Sequence, residues 1–164
     1  MDFEIDLMSA EDWPSASEIY RQGIATGDAT FATEPQDWEH WDKAHRNECR
    51  LVARQNAQVL GWAALSAVSA RAVYAGVAEV SVYVSESARG RGVGKALLKA
   101  LIEQSEQNEI WTLQAGIFPE NVASVALHKS CGFREVGVRQ RLGKMGNRWR
   151  DVLLLERRSS TVGS

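Results

Sequence analysis

Arg89-Gly90-Arg91-Gly92-Val93-Gly94 stands between an alternating apolar segment that ends at Val84 and an apolar-periodic stretch that starts near Lys95. Three glycines in six residues let the backbone enter conformations closed to residues with side chains, and successive N–H groups on such a turn converge on an anion. The positive end of the helix that follows adds to the charge of Arg89 and Arg91. A pyrophosphate is the natural occupant. A Walker-type phosphate loop ending at Gly94-Lys95 would need glycine at 89 and a hydroxyl at 96, where Arg89 and Ala96 stand. A dinucleotide fingerprint starting at Gly90 would need glycine at the place of Lys95. Both are excluded.

Outward from this loop the apolar pattern assigns the elements. Val77 to Val84 alternates, with Val80, Val82 and Val84 on one face and Glu79, Ser81 and Tyr83 on the other, so this is the central strand. After the loop, Ala96, Leu97, Ala100 and Leu101 share a helix face, and Trp111 to Ile117 reads as a further strand. Asn121 opens a helix through Val125, Leu127 and Lys129 that ends at Gly132, the residue a left-handed C-cap favours; Phe133 then packs.

Toward the N-terminus, Glu4 to Leu7 is a short strand. Ser9 and Asp12 form a capping box before a helix carrying Trp13, Ala16, Ile19, Tyr20 and Ile24. A connection over 27–35 leads to a second helix from Gln36 to about Asn47, on which Trp38, Trp41 and His45 recur at helical spacing. Leu51 to Ala53 and Val59 to Leu65 read as one hairpin, and Val136 to Leu142 with Trp149 to Leu155 as another, turning around Gly143, Gly146 and Asn147. The fold class expected is α/β, a mixed and mostly antiparallel sheet flanked by helices, in a single domain over 1–158 with a polar tail, 159–164, that frays.

Composition narrows the function. The 164 residues are 45% apolar and 24% charged, enough for one buried core. A net charge of −2 lacks the basic excess of a nucleic-acid surface, so nucleic acid is not an expected partner. Cys49 and Cys131 are too few for a disulfide framework and lack metal-ligand company. No apolar run reaches the ~18 residues of a membrane span, and the acidic start is no signal peptide, so a cytoplasmic protein binding neither membrane nor metal is expected.

The order Arg89, Gly92, Gly94 between strand and helix resembles motif A of the GNAT superfamily of N-acetyltransferases, Gln/Arg-x-x-Gly-x-Gly/Ala. Asn121 to Phe133 resembles the motif B of the same superfamily. Three further stretches, Thr30 to Pro35, Ala70 to Tyr74 and Trp149 to Val152, are similar to the phosphinothricin and methionine sulfoximine N-acetyltransferases within it. The resemblance implies the GNAT fold, acetyl-CoA as co-substrate, a homodimer, and acetyl transfer to the α-amine of a small amino-acid-like substrate. Alternatives in view are a protein or peptide N-acetyltransferase and a non-catalytic acetyl-CoA-binding module.

Site residues follow from the same resemblance. Cofactor contacts fall on Val82, Val84, Ser85, Glu86, Arg89, Gly90, Arg91, Gly92, Val93, Gly94, Lys95, Ala96, Leu97, Asn121, Ser124 and Lys129. Substrate contacts fall on Phe31, Arg71, Ala72, Val73, Ser81 and Tyr83, with Arg71 the guanidinium for a carboxylate. Glu79, the only carboxylate on the central strand, is implied as general base, acting through water on the ammonium. A strand splayed near a bulge would set the Val84 N–H beside the thioester oxygen. His128, where the superfamily commonly has tyrosine, is the candidate acid for the leaving thiolate. His40 and His45 read as surface or packing residues, the tryptophans as core or interface, and Cys131 as a packed thiol rather than a nucleophile.

Overall fold

The computed structural model describes residues 2–164. In chain order the elements are β1 (Glu4–Leu7), α1 (Trp13–Ala25), α2 (Trp38–Ala44), β2 (Leu51–Gln55), β3 (Gln58–Ala67), β4 (Val77–Val84), α3 (Val93–Gln107), β5 (Thr112–Ile117), α4 (Val122–Ser130), β6 (Arg134–Met145) and β7 (Arg148–Arg158). The strands form a seven-stranded sheet in the order β1-β2-β3-β4-β5-β7-β6. Only the β4–β5 junction is parallel, and α3 is the crossover that a parallel pair requires. This is the mixed, mostly antiparallel sheet the pattern implied.

The alternation along β4 sorts the core into two layers. Val80, with Val82 and Val84 beside it, packs against Leu97, Leu98 and Leu101 of α3 and against Phe133. On the opposite face Trp62 and Ala64 of β3 meet Trp13, Ala16 and Ile19 of α1 and Trp41 of α2, with Tyr20 and Tyr83 alongside. Full burial of each large apolar side chain contributes about 1.5–3 kcal/mol, so the two-residue period of β4 decides which helices cover which face.

Several boundaries differ from the sequence reading, each for a local reason. α3 starts at Val93, because Gly92 takes a left-handed φ of 79° and caps the helix. Its buried stripe runs through Val93, Leu97, Leu98, Leu101 and Ile102, one position round from the expected face, since the bulk of Leu98 and Ile102 outweighs that of Ala96 and Ala100. α2 is shorter than expected: the Asp37 carboxylate accepts from the His40 N–H at 2.9 Å to start it, and His45 is already extended. The last hairpin is longer, and Gly143 lies within β6 rather than in the turn. A Cβ at Gly143 would stand 2.6 Å from the Phe31 ring, so glycine here makes room for the 27–35 connection. The tail carries contacts of its own: the Ser159 hydroxyl donates to Glu106, and the Arg158 guanidinium holds the carbonyls of Val162 and Gly163 at 2.8 and 2.7 Å.

Candidate active site

β4 and β5 pair only over Val77–Glu79 against Thr112–Gln114. Past that point β5 commits Ala115, Gly116 and Ile117 to Leu155, Leu154 and Leu153 of β7, while Val80–Val84 stays with β3. The two strands part, leaving the β5-facing backbone groups of Val80–Val84 without a strand partner. The expected bulge is absent from β4, whose register with β3 is continuous from Ala78 to Val84. β5 keeps β7 along its other edge from Thr112 to Ile117, so only its β4 edge is released beyond Gln114. Into this opening runs a cavity of about 1190 Å³.

One end of the cavity is the glycine loop. Arg89, Gly90, Gly92, Val93 and Gly94 line it, together with Val82 and Val84. Gly90 and Gly92 have φ of 78° and 79°, which only glycine adopts without strain, so the loop turns directly into the first turn of α3, whose N–H groups have no intrahelical partner. Asn121 and Ser124 line the same end from α4; the Asn121 side chain accepts from the Ser124 N–H and donates to the Asp28 carbonyl, both at 3.2 Å.

The other expected cofactor contacts lie outside the lining. Arg91 turns away to Asp2 at 2.9 Å and Gln55 at 3.2 Å. Leu97 is fully buried in the core, and Lys95 and Ala96 do not reach the cavity wall. Ser85 donates its N–H to the Leu60 carbonyl, Glu86 donates its N–H to Gln22, and Lys129 pairs with Glu135 at 2.6 Å.

At the other end Glu79, Ser66, Ser81 and Tyr83 line the wall with Phe31 and Gln114. Gln114 donates from Nε2 to Glu79 Oε1 at 3.2 Å. Tyr83 stacks on Trp62 at 5.0 Å and tilts against Tyr20 at 4.8 Å. Burial, helped by Tyr20, pushes the Tyr83 phenol up, so it stays a protonated donor. His128 is 5% exposed, with Nδ1 2.7 Å from the Ser124 carbonyl. A carbonyl only accepts, so Nδ1 carries the proton and Nε2 is bare. Burial lowers its pKa, against the pull of the Ser124 carbonyl, which keeps the ring neutral.

The structure does not bring Arg71, Ala72 and Val73 to the cavity. All three are exposed on the β3–β4 connection, and Arg71 lies over the Tyr74 ring at 5.6 Å. The cations on the lining are Arg89 and Arg139, the latter on the β6 segment where the register shifts between Arg139 and Gly143.

Residues missed from sequence complete the walls. Trp41, His45 and Trp62 line the acceptor end. Arg150, with its side chain 1% exposed, reaches Gly27 O at 2.8 Å, Asp28 Oδ1 at 2.8 Å and Glu120 Oε2 at 3.3 Å while stacking on Phe118. It straps the 27–35 connection to β7, and Phe31 completes the contact edge-on to Phe118. Its partners are 122 and 30 residues away in the chain, beyond the reach of any local pattern.

Comparison with known proteins agrees with this geometry. The model of the acetyltransferase (GNAT) family matches residues 10–133. Phosphinothricin N-acetyltransferase from Alcaligenes faecalis is 34% identical, over 93% of this chain and 81% of its own. L-methionine sulfoximine/L-methionine sulfone acetyltransferase from Pseudomonas aeruginosa is 31% identical over 88% of each chain. Among solved structures, a GNAT superfamily phosphinothricin acetyltransferase from Sinorhizobium meliloti in complex with AcCoA superposes with a TM-score of 0.88 at 28% identity, over 99% of this chain and 91% of that one. The motifs, the splayed sheet and these relatives together show that the chain is an N-acetyltransferase and belongs to the GNAT family.

Proposed function

We propose that this enzyme transfers the acetyl group of acetyl-CoA to the α-amine of a small amino-acid-like molecule of the phosphinothricin or methionine sulfoximine type. Attack is direct, within a ternary complex. The observation that carries the reading is that a glycine cradle for a pyrophosphate and a carboxylate at the fork of two strands share one cavity. The pyrophosphate sits on the N–H groups of 90–94 with Arg89 beside it. The pantetheine arm runs through the β4–β5 opening, and the N–H of Val84 stabilises charge on the thioester oxygen.

An ammonium cannot attack, so it first loses a proton through water to Glu79, whose carboxylate is oriented by Gln114. The amine then bonds to the carbonyl carbon, its nitrogen releases a second proton to solvent, and the carbon–sulfur bond breaks to leave a thiolate. His128 is not the proton source for the thiolate, because its one proton is held by the Ser124 carbonyl; its role is to set α4, and the thiolate takes a proton from solvent. Phe31, Ser81 and Tyr83 wall the acceptor, and Arg139 meets an anionic group on it.

β6 is an edge strand and leaves Val136, Val138 and Leu142 exposed beside Trp149 of β7, which supports a homodimer through this hairpin. No helix among the described residues is long and apolar enough to cross a membrane, in keeping with a cytoplasmic enzyme. The reaction is tested by following free thiol with acetyl-CoA and a panel of amino-acid analogues beside a short peptide. Thiol release with methionine sulfoximine and not with the peptide is expected, and the reverse preference would overturn the substrate class.

A further inference from the structure

From sequence His45 reads as a surface or packing residue, but its surroundings fix one nitrogen and free the other. Its ring stacks on Trp41 with centroids 4.1 Å apart at 18°, and meets the Trp62 ring edge-on at 6.5 Å. Nδ1 lies 2.8 Å from the Trp41 carbonyl, so Nδ1 carries the proton and Nε2 keeps a bare lone pair. No protein group among the described residues bonds Nε2, and the half-buried ring lines the cavity that holds Glu79.

Backbone pairing brings His45 to this place. β2 covers β3 only as far as Ala63, opposite Leu51, so the β3 edge beyond is open. The Arg46 N–H takes the Leu65 carbonyl on that edge at 2.8 Å. The next residue, Ser66, is the register partner of Glu79. His45 and Glu79 therefore approach the acceptor end from the two sides of β3's last turnless stretch, on the face that also carries Trp62 and Tyr83. Glu79 is the carboxylate of that end, since the Asp28 and Glu120 carboxylates, also on the lining, pair with Arg150, and no lysine lines the cavity among the described residues.

A bare imidazole nitrogen in an aromatic wall needs a donor, and the donor a GNAT enzyme must bind is an amine. Resting on the reading given under Proposed function, we propose that His45 Nε2 accepts a hydrogen bond from the acceptor's ammonium, orienting it from the α2 side while Glu79 meets it from β4. His45 is thus a substrate-binding residue that selects a primary ammonium. Burial holds the His45 pKa below the usual histidine value, against the opposing pull of the Trp41 carbonyl, and the charge of Arg50, itself paired with Asp42 at 2.6 Å, acts in the same direction as burial. The ring is accordingly neutral and free to accept. In the same wall the indole N–H groups of Trp41 and Trp62 are buried without partners.

The test compares His45→Asn with His45→Gln in the full-length enzyme, using methionine sulfoximine and acetyl-CoA. Asparagine keeps an amide N–H near the Nδ1 position and loses the acceptor at Nε2; glutamine puts an amide oxygen near Nε2. For His45→Asn, KM for methionine sulfoximine is expected to rise about tenfold or more, with kcat, KM for acetyl-CoA and Tm unchanged, and His45→Gln is expected to recover most of the loss. An unchanged amine KM in His45→Asn would overturn the inference. So would a loss shared equally by both variants and both KM values with a fall in Tm, which is the mark of a packing role. The underlying reading fails separately and earlier: wild-type enzyme releasing no thiol with any small primary amine would remove both.

Discussion

Gln114 and Glu79 face each other in the last parallel pair before β4 and β5 separate, with the amide Nε2 of one 3.2 Å from the carboxylate Oε1 of the other. The contact leaves Glu79 its second oxygen and points the carboxylate into the cavity mouth. Replacing Glu79 by Gln keeps shape and removes the base. A fall in kcat of about 10² to 10⁴ is expected, with KM for acetyl-CoA and Tm unchanged, read by steady-state thiol release. A variant within threefold of wild type, roughly 0.6 kcal/mol, would assign the proton to another group.

Arg89 and Arg91 flank the same glycine and do different things. Arg89 lines the cavity, whereas Arg91 is bound to Asp2 and Gln55 near the N-terminus. Arg89→Ala is expected to raise KM for acetyl-CoA about tenfold, the worth of one charge-assisted contact to phosphate, while Arg91→Ala leaves it near wild type. Equal effects would mean that Arg91 leaves Asp2 when the co-substrate binds.

A similar contrast separates Arg139 from Arg71. Only Arg139 is on the lining, and Arg71 lies over Tyr74 in solvent. With an anionic acceptor such as phosphinothricin, Arg139→Ala is expected to raise KM about tenfold and Arg71→Ala to leave it unchanged, by initial-rate kinetics. The opposite ranking would mean that the 68–76 connection closes over bound substrate.

Much of this was legible along the chain, and what escaped did so for physical reasons. The alternation of β4, the glycine loop and the Asn121 cap are local patterns, each set by near neighbours, and each folds as read. Contacts made across the sheet leave no such trace. The Arg150 strap to Asp28, the seat of Phe31 over Gly143 and the entry of His45 into the cavity all depend on which strands pair and where pairing stops. Arg71 shows the converse: its resemblance to a substrate-loop arginine is sequential, but nothing in this chain's packing draws it inward. The helical pattern puts His128 on α4, yet the direction of its proton depends on the Ser124 carbonyl and shows only in three dimensions.

The buried His128 and the half-buried His45 also set a pH dependence of stability. His45 and His128 have pKa values lowered by burial from the usual 6.5. Above that value both are neutral folded or unfolded and contribute nothing. As pH falls below it the unfolded chain takes up protons that the folded chain refuses, so stability drops, with the full loss reached below the folded pKa values. The exposed His40, raised by Asp37, works in the opposite sense through an exposed pair. Tm is expected to fall between about pH 7 and pH 5, and the fall should be shallower in a His45→Asn, His128→Asn double variant. Parallel curves for the two proteins would contradict this assignment.

The central claim is that main-chain N–H groups at 90–94 hold the pyrophosphate of acetyl-CoA at the mouth of the β4–β5 fork. Titration calorimetry of acetyl-CoA into folded wild-type protein and into Gly92→Ala tests it most directly, because alanine at a φ of 79° disturbs the cradle by about 1–2 kcal/mol of strain without adding charge. Saturable binding to wild type, weakened about tenfold in Gly92→Ala, is the expected result. Absence of heat with the wild-type protein, or equal affinity for the two, would contradict it.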